Sequence, residues 1–204
     1  GIPMLVRVVR ALTASPAVGT IHIAIERPDL VRDHPELGLL LEGGRLALLP
    51  AEGSPSRTVG AALEALGSPL FVTTADHALL QAEWVQYFLN NLPDGADVCA
   101  ALARDHVVQG AVPETKRTYL RFADGAFSGC NMFAFRTPQA TGIAHLWRQV
   151  EAQRKNPLRM IRLLGPLSVL RFLLGRLTLT AALKRLGAIA GARAAIVEMP
   201  FGLA

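Results

Sequence analysis

SPLFVTTADHALL, residues 68–80, is the stretch from which the rest of the chain is read. It opens on the turn residues Gly67, Ser68 and Pro69. It then runs through Leu70, Phe71, Val72, Thr73 and Thr74, an apolar and β-branched segment of strand length. Runs of this kind between turn signals are the buried parallel strands of α/β domains. Asp76 and His77 follow, and then a helical pattern begins. Asp76 is thereby placed at the carboxyl end of a central strand, the rim where open α/β sheets bind ligands. A carboxylate there needs a partner, and Mg²⁺ held together with substrate phosphates is one. An Asp that N-caps the helix from Leu79 onward explains the same letters. Residue chemistry alone leaves both readings open.

Downstream, residues 81–92 are predicted as a helix whose core stripe is Trp84, Val85, Phe88 and Leu89. A turn at Asp94-Gly95 leads to a strand over 97–102. Upstream, residues 4–14 carry Leu5, Val8, Val9 and Leu12 at helical spacing, and Ser15-Pro16 ends that helix. A strand is predicted over 18–25, with His22 as a structural residue. A polar stretch over 26–44 holds a short helical piece near 37–41, and 46–50 is another short strand. Ser54, Pro55 and Ser56 then open a helix through Leu66, with Ser56 as its N-cap. The alternation of helix and strand is the rhythm of a parallel, doubly wound sheet.

The second half changes character. Residues 116–122 and 127–135 are predicted as strands joined at Asp124-Gly125, and Thr137-Pro138 starts a helix running to about residue 154. His145 and Trp147 on that helix are packing or surface residues. Residues 157–186 are apolar, studded with Arg and broken at Gly165-Pro166 and Gly175, which predicts two or three short helices. This region reads either as a helical subdomain packed on the sheet with its Arg side chains reaching outward, or as a basic apolar patch for a membrane surface or a second subunit. A last strand covers 194–198.

The chain has 204 residues, 51% of them hydrophobic, and a formal net charge of +5; its mean hydropathy is +0.33 and its pI about 9.9. This length suits one α/β domain. The basic balance is compatible with phosphate-bearing ligands, a membrane surface or nucleic acid. Nucleic acid is the weakest of these, because the basic residues are dispersed and aromatics are only 6%. Arg and Gly interrupt every apolar run before it reaches transmembrane length. No signal peptide is visible. Cys99 and Cys130 lie far apart without metal-ligand spacing, and are expected to be buried thiols of a reducing cytoplasm.

TTADHALL resembles the TADHPLL-type motif of the MobA-like NTP transferases, relatives of the molybdenum-cofactor cytidylyltransferases, with Ala78 where Pro is usual. Gly1-Ile2-Pro3-Met4 resembles the family's GRPML segment, and GCNMFAF (129–135) is a second anchor. The resemblance implies a Rossmann-like, GT-A-type α/β/α sandwich with a mostly parallel mixed sheet and a short helical insertion at 157–187. It implies transfer of a nucleotide monophosphate from an NTP, CTP or GTP foremost, to a small phosphorylated acceptor with release of pyrophosphate. Asp76 is the implied ligand of a catalytic Mg²⁺. Ser54, Ser56, Thr74 and Ala75 are the implied nucleotide contacts, and Ser128, Gly129 and Asn131 the implied acceptor contacts.

Lys116 and Arg117 are candidates to hold the acceptor's phosphate, or else form a solvated strand edge. An Asn amide donates and accepts at once, which suits a hydroxyl or ribose, although a buried Asn satisfying a turn is the alternative. The family's LAGG…GxxKAL loop would precede Gly1 and its IDVD-type Asp would follow Ala204, so the chain is expected to be a fragment that is inactive by itself. Without a strand before Gly1, residues 18–25 and 68–74 are expected to flank an empty slot in the sheet. Two other functions compete. A GT-A-type glycosyltransferase would show an Asp-x-Asp pair, which Asp76-His77-Ala78 is not. A non-catalytic membrane-associated protein would rest on the Arg-rich stretch, with either a membrane contact or a homo-oligomer formed through 157–187.

Overall fold

A computed structural model describes residues 1–114, 117–153 and 165–202. Lys116 and the stretch 154–164 of the Arg-rich region lie outside the described residues.

α1 (Met4–Ala14) buries Val6, Val8, Val9, Ala11 and Leu12 on one face and stops at Ser15, whose extended backbone suits the proline that follows. β1 (Ile21–Ile25) pairs in parallel with β2 (Leu46–Pro50), Ile21 opposite Leu46. Between them lie α2 (Asp29–Arg32) and α3 (Pro35–Glu42). α4 (Pro55–Leu66) leads through Gly67, at φ 74°, into β3 (Leu70–Thr73). α5 (Ala82–Asn90), β4 (Val98–Arg104) and α6 (Asp105–Ala111) follow. The hairpin of β5 (Leu120–Phe122) and β6 (Gly125–Phe135) turns through two residues, Ala123 and Asp124, since Phe122 pairs with Gly125. A 3₁₀ turn at Pro138–Ala140 then opens α7 (Thr141–Gln153). α8 (Pro166–Leu173), α9 (Leu179–Ala190) and β7 (Ala194–Glu198) complete the described chain.

The larger sheet has the order β3-β6-β4-β7, with β5 paired to β6. β6 is antiparallel to both β3 and β4, and β4 is parallel to β7, so β3, β4 and β7 point the same way around one reversed strand. β1 and β2 form a separate two-stranded sheet. Among the described residues β1 and β3 do not pair with each other, as expected for strands 18–25 and 68–74.

Side-chain alternation along β4 divides the core between two faces. Cys99, Ala101 and Ala103 join α1, α5 and Val108 of α6 in the main core, which also receives Ile21, Ile23 and Leu46 of the small sheet. Val98 meets Val59 and Leu63 of α4 and Ala144 of α7 on the other face, and Leu102 meets Leu179 of α9 there. This is a three-layer α/β/α arrangement, with helices on both faces of the larger sheet. The main core ties the two sheets together, because α1 and α5 contribute to it side by side and Val85 and Phe88 are fully buried.

Two predicted elements are drawn differently by the structure. Of the strand predicted over 116–122, the described residues 117–122 form strand only at Leu120–Phe122, because the pairing with β6 stops at Phe127. α6 occupies residues without a predicted element. It forms despite the β-branched Val107 and Val108 because Val108 is completely buried.

Candidate active site

The site is a consequence of register. One edge of β6 is paired with β4. The other edge is shared: Met132 to Phe135 pair with β3, and Gly125 to Phe127 with β5. Residues 128–131 pair with neither, leaving an open edge of roughly 16 Å between Phe127 and Met132 at about 3.3 Å per residue. β4 advances two residues, from Ala100 to Leu102, while β6 advances four, from Phe133 to Gly129. The extra residues form a bulge, and within it Asn131 adopts φ 51°. A non-glycine residue in the left-handed region is uncommon, Asn tolerates it best, and bulges of this kind re-aim side chains beside functional sites. Asn131 and Gly129 are exposed at the bulge, whereas Ser128 is buried.

Two loops face this edge. From the β3 side comes the segment after Thr73, which is paired with Met132, so Thr74, Ala75 and Asp76 leave the strand beside Asn131. The loop is compact: His77 N–H donates to the Thr74 carbonyl (3.2 Å), Ala78 N–H to the Asp76 carbonyl (2.8 Å) and Leu80 N–H to the His77 carbonyl (3.0 Å). α5 begins only at Ala82 with Gln81 as its N-cap. Asp76 lies six residues upstream and caps nothing, which removes the helix-cap reading. Asp76 is exposed, and no side chain among the described residues forms an ion pair with it.

From the β5 side comes the segment 117–119. Arg117 acts electrostatically on both flanks of the open edge. Burial lowers the His77 pKa and the Arg117 charge lowers it further, against the opposing effect of Asp76. The Cys130 thiol is pushed up to about 11 by burial, with Arg117 pulling the other way. One guanidinium is therefore felt by the residue after Asp76 and by the residue before Asn131. The hydroxyls of Thr74 and Tyr119, in the two segments that approach this edge, are buried without hydrogen-bond partners among the described residues.

The sequence reading missed two residues here. His77 is 7% exposed, its Nδ1 lies 3.4 Å from Thr73 Oγ1, and its ring packs against Trp84, which stacks on Phe201. Its direct adjacency to Asp76 was the available signal. Tyr119 has its ring against the main core and was legible only as part of a strand.

The remaining sequence candidates lie elsewhere. The N-cap of α4 is Ser54, not Ser56. Ser56 is buried and its hydroxyl bonds the Glu151 carboxylate of α7, so it serves the α4–α7 contact. Ser54 Oγ lies 3.4 Å from Ser56 Oγ, and the first turn is closed by Thr58, whose hydroxyl donates to the Ser54 carbonyl. On the same rim as Asp76, but across β6, Arg104 forms a two-point ion pair with Glu198 of β7 and covers the Phe127 ring at 4.9 Å. An open groove of about 770 Å³ between α9 and β7, lined by Lys184, Gly187 and Arg193 among others, contains none of the residues facing the open edge.

The donor chemistry fits Mg²⁺. No group of three His, Cys, Asp or Glu side chains gathers among the described residues, which argues against a closed cage. Mg²⁺ instead keeps several waters and takes one or two carboxylates plus substrate phosphates, and a single exposed carboxylate, Asp76, matches that habit.

The sequence profile described as "MobA-like NTP transferase domain" matches residues 1–196. Among solved structures, a hypothetical transferase from Thermus thermophilus is 30% identical, with a TM-score of 0.81 over 100% of this chain and 82% of that one. The 4-diphosphocytidyl-2C-methyl-D-erythritol synthase of Anaerococcus prevotii DSM 20548 is 10% identical, with a TM-score of 0.55 over 98% of this chain and 78% of that one. Comparison with curated protein sequences finds no match.

Proposed function

Because the chain belongs to the MobA-like NTP transferase family, we propose that it transfers a nucleotide monophosphate from an NTP, with CTP and GTP foremost, to a small phosphorylated acceptor. An acceptor phosphate oxygen attacks the α-phosphorus in line. The new P–O bond forms as the bond to the β-phosphate breaks, and pyrophosphate leaves. Such chemistry asks the protein mainly to position reactants and offset charge.

Asp76 would hold Mg²⁺, whose charge offsets that of the phosphates when bound. The planar fork of Arg117 suits the acceptor's terminal phosphate, and Lys116 adds a point charge beside it. Asn131 is turned outward by the bulge to hydrogen-bond the acceptor, and Gly129, which has no side chain, lets it approach the backbone. Ser128 supports that bulge from beneath. Thr74 and Ala75 meet the nucleotide through the orphan hydroxyl and the backbone. Ser54 remains a nucleotide contact at the α4 N-terminus, while Ser56 is directed to Glu151.

The observation that carries this reading is the unpaired β6 edge, 128–131, with Asp76 on one side and Arg117 on the other. The experiment is pyrophosphate release by the full-length gene product, with each of four NTPs against a panel of phosphorylated sugars and alcohols. Mg-dependent release with one NTP, lost in Asp76→Asn, supports it. Release that is unchanged in Asp76→Asn would overturn the assignment.

A further inference from the structure

α8 is built the wrong way out for a helix that only packs on its own domain. Leu167, Leu170, Leu173 and Leu174 fall within a single arc of about 120° at 3.6 residues per turn, and they are 60%, 52%, 75% and 59% exposed. No residue of α8 is buried. The helix is held from its other side. Phe172 meets Phe122 of β5 edge-on at 6.2 Å, and beyond the helix Ala123 N–H donates to the Leu177 carbonyl (2.9 Å) while the Asp124 carboxylate accepts from Leu179 N–H (2.9 Å). The leucine stripe is thus presented outward by a segment fastened to the β5–β6 hairpin.

Charge identifies the occupant. Arg171 borders the stripe and Arg176 follows it, both exposed. From residue 152 to residue 197 the sequence has no Asp or Glu, and nine of its 21 Lys and Arg. A second copy in a two-fold contact would set this basic face against itself. An anionic surface with an apolar interior meets both features: leucines enter the headgroup–acyl boundary and arginines stay among the headgroups. No described helix is long and apolar enough to cross a membrane, so the contact lies in the interface plane. We propose that the outward face of α8, with Leu167, Leu170, Leu173, Leu174, Arg171 and Arg176, docks on an anionic lipid bilayer. This proposal does not depend on the nucleotidyltransfer reading.

The experiment is flotation of the intact protein with vesicles of phosphatidylcholine alone and of phosphatidylcholine mixed with phosphatidylglycerol. Flotation is expected only with the mixed vesicles and should be released by salt. Arg171→Glu with Arg176→Glu should lower partitioning by more than about 25-fold, roughly fivefold for each positive charge removed. Leu173→Glu, at a largely exposed position, should lower it with an unchanged melting temperature. Three results would overturn the proposal: no flotation at low salt, equal flotation on neutral vesicles, or binding that survives both the arginine and the leucine variants. Absence of flotation together with a dimer that Leu173→Glu dissociates would assign the face to a second copy instead.

Discussion

His77 Nδ1 lies 3.4 Å from Thr73 Oγ1, so the loop carrying Asp76 is closed back onto the strand it leaves. The imidazole is buried and pressed against Trp84, while the neighbouring carboxylate is exposed. A single peptide bond therefore separates a buried, packed imidazole from a solvated carboxylate, and the two should respond differently to substitution.

Asp76→Ala should abolish turnover in the full-length protein and leave the melting temperature near that of the wild type. The side chain is exposed, caps no helix and has no ion-pair partner among the described residues. Changes behind a metal ligand already cost about 10–100-fold, so the proposed ligand role of Asp76 predicts a loss of at least that. Turnover and thermal unfolding measured on the same preparation check this, and a large fall in stability with residual turnover would point to a structural carboxylate.

His77 makes stability depend on pH in a window above the acid range. Burial lowers its pKa from the ordinary 6.5, so the unfolded chain takes up a proton where the folded chain does not. Stability is complete above about pH 6.5 and falls as pH drops through the lowered folded pKa. The carboxylates with lowered pKa values, Asp97 and Glu198 among them, add their losses only below the ordinary 3.8 and 4.5. Urea unfolding between pH 7 and pH 5 should show a slope that His77→Gln flattens.

Asn131 has a conformational and a chemical role that two substitutions separate. At φ 51° glycine is at ease, whereas alanine meets a penalty of about 1–2 kcal/mol. Asn131→Gly should keep stability while weakening the acceptor's KM. Asn131→Ala should weaken both. Equal KM values for wild type and Asn131→Gly would remove the amide from the acceptor site.

Gly142 sets the approach of α9 to α7. A Cβ there would run into the carbonyl oxygen of Ala190, which is backbone and cannot swing away. Gly142→Ala should destabilise the domain by about 1–3 kcal/mol, the usual cost of overpacking, although alanine favours helices. Denaturant unfolding checks the sign, and a stabilised variant would show that α9 is not seated as described.

Most elements were legible because local chemistry specifies them. The stripe Trp84, Val85 and Phe88, the Ser15-Pro16 stop and the β-branched run before Thr74 read the same in the chain as in the fold. Asp76 was placed just after a strand by sequence alone, but that strand, expected to be central, is the edge strand β3 of its sheet among the described residues, because β6 inserts between it and β4; the separation of β1 from β3 was expected. Local letters misled where a partner decides the outcome. Residues 117–119 look like strand, yet among the described residues β5 begins only at Leu120, where its pairing with Phe127 of β6 ends. Ser56 looks like a cap, but α7 brings Glu151 to its hydroxyl across 95 positions of sequence. The Arg-rich region could be read as packed or as exposed, and only the docking of Phe172 on Phe122 decides that the leucines of α8 face outward. Periodicity records which residues share a face. Which face meets the core depends on contacts between residues distant in sequence, and the joining of Asp76, Arg117 and Asn131 at one open edge is of that kind.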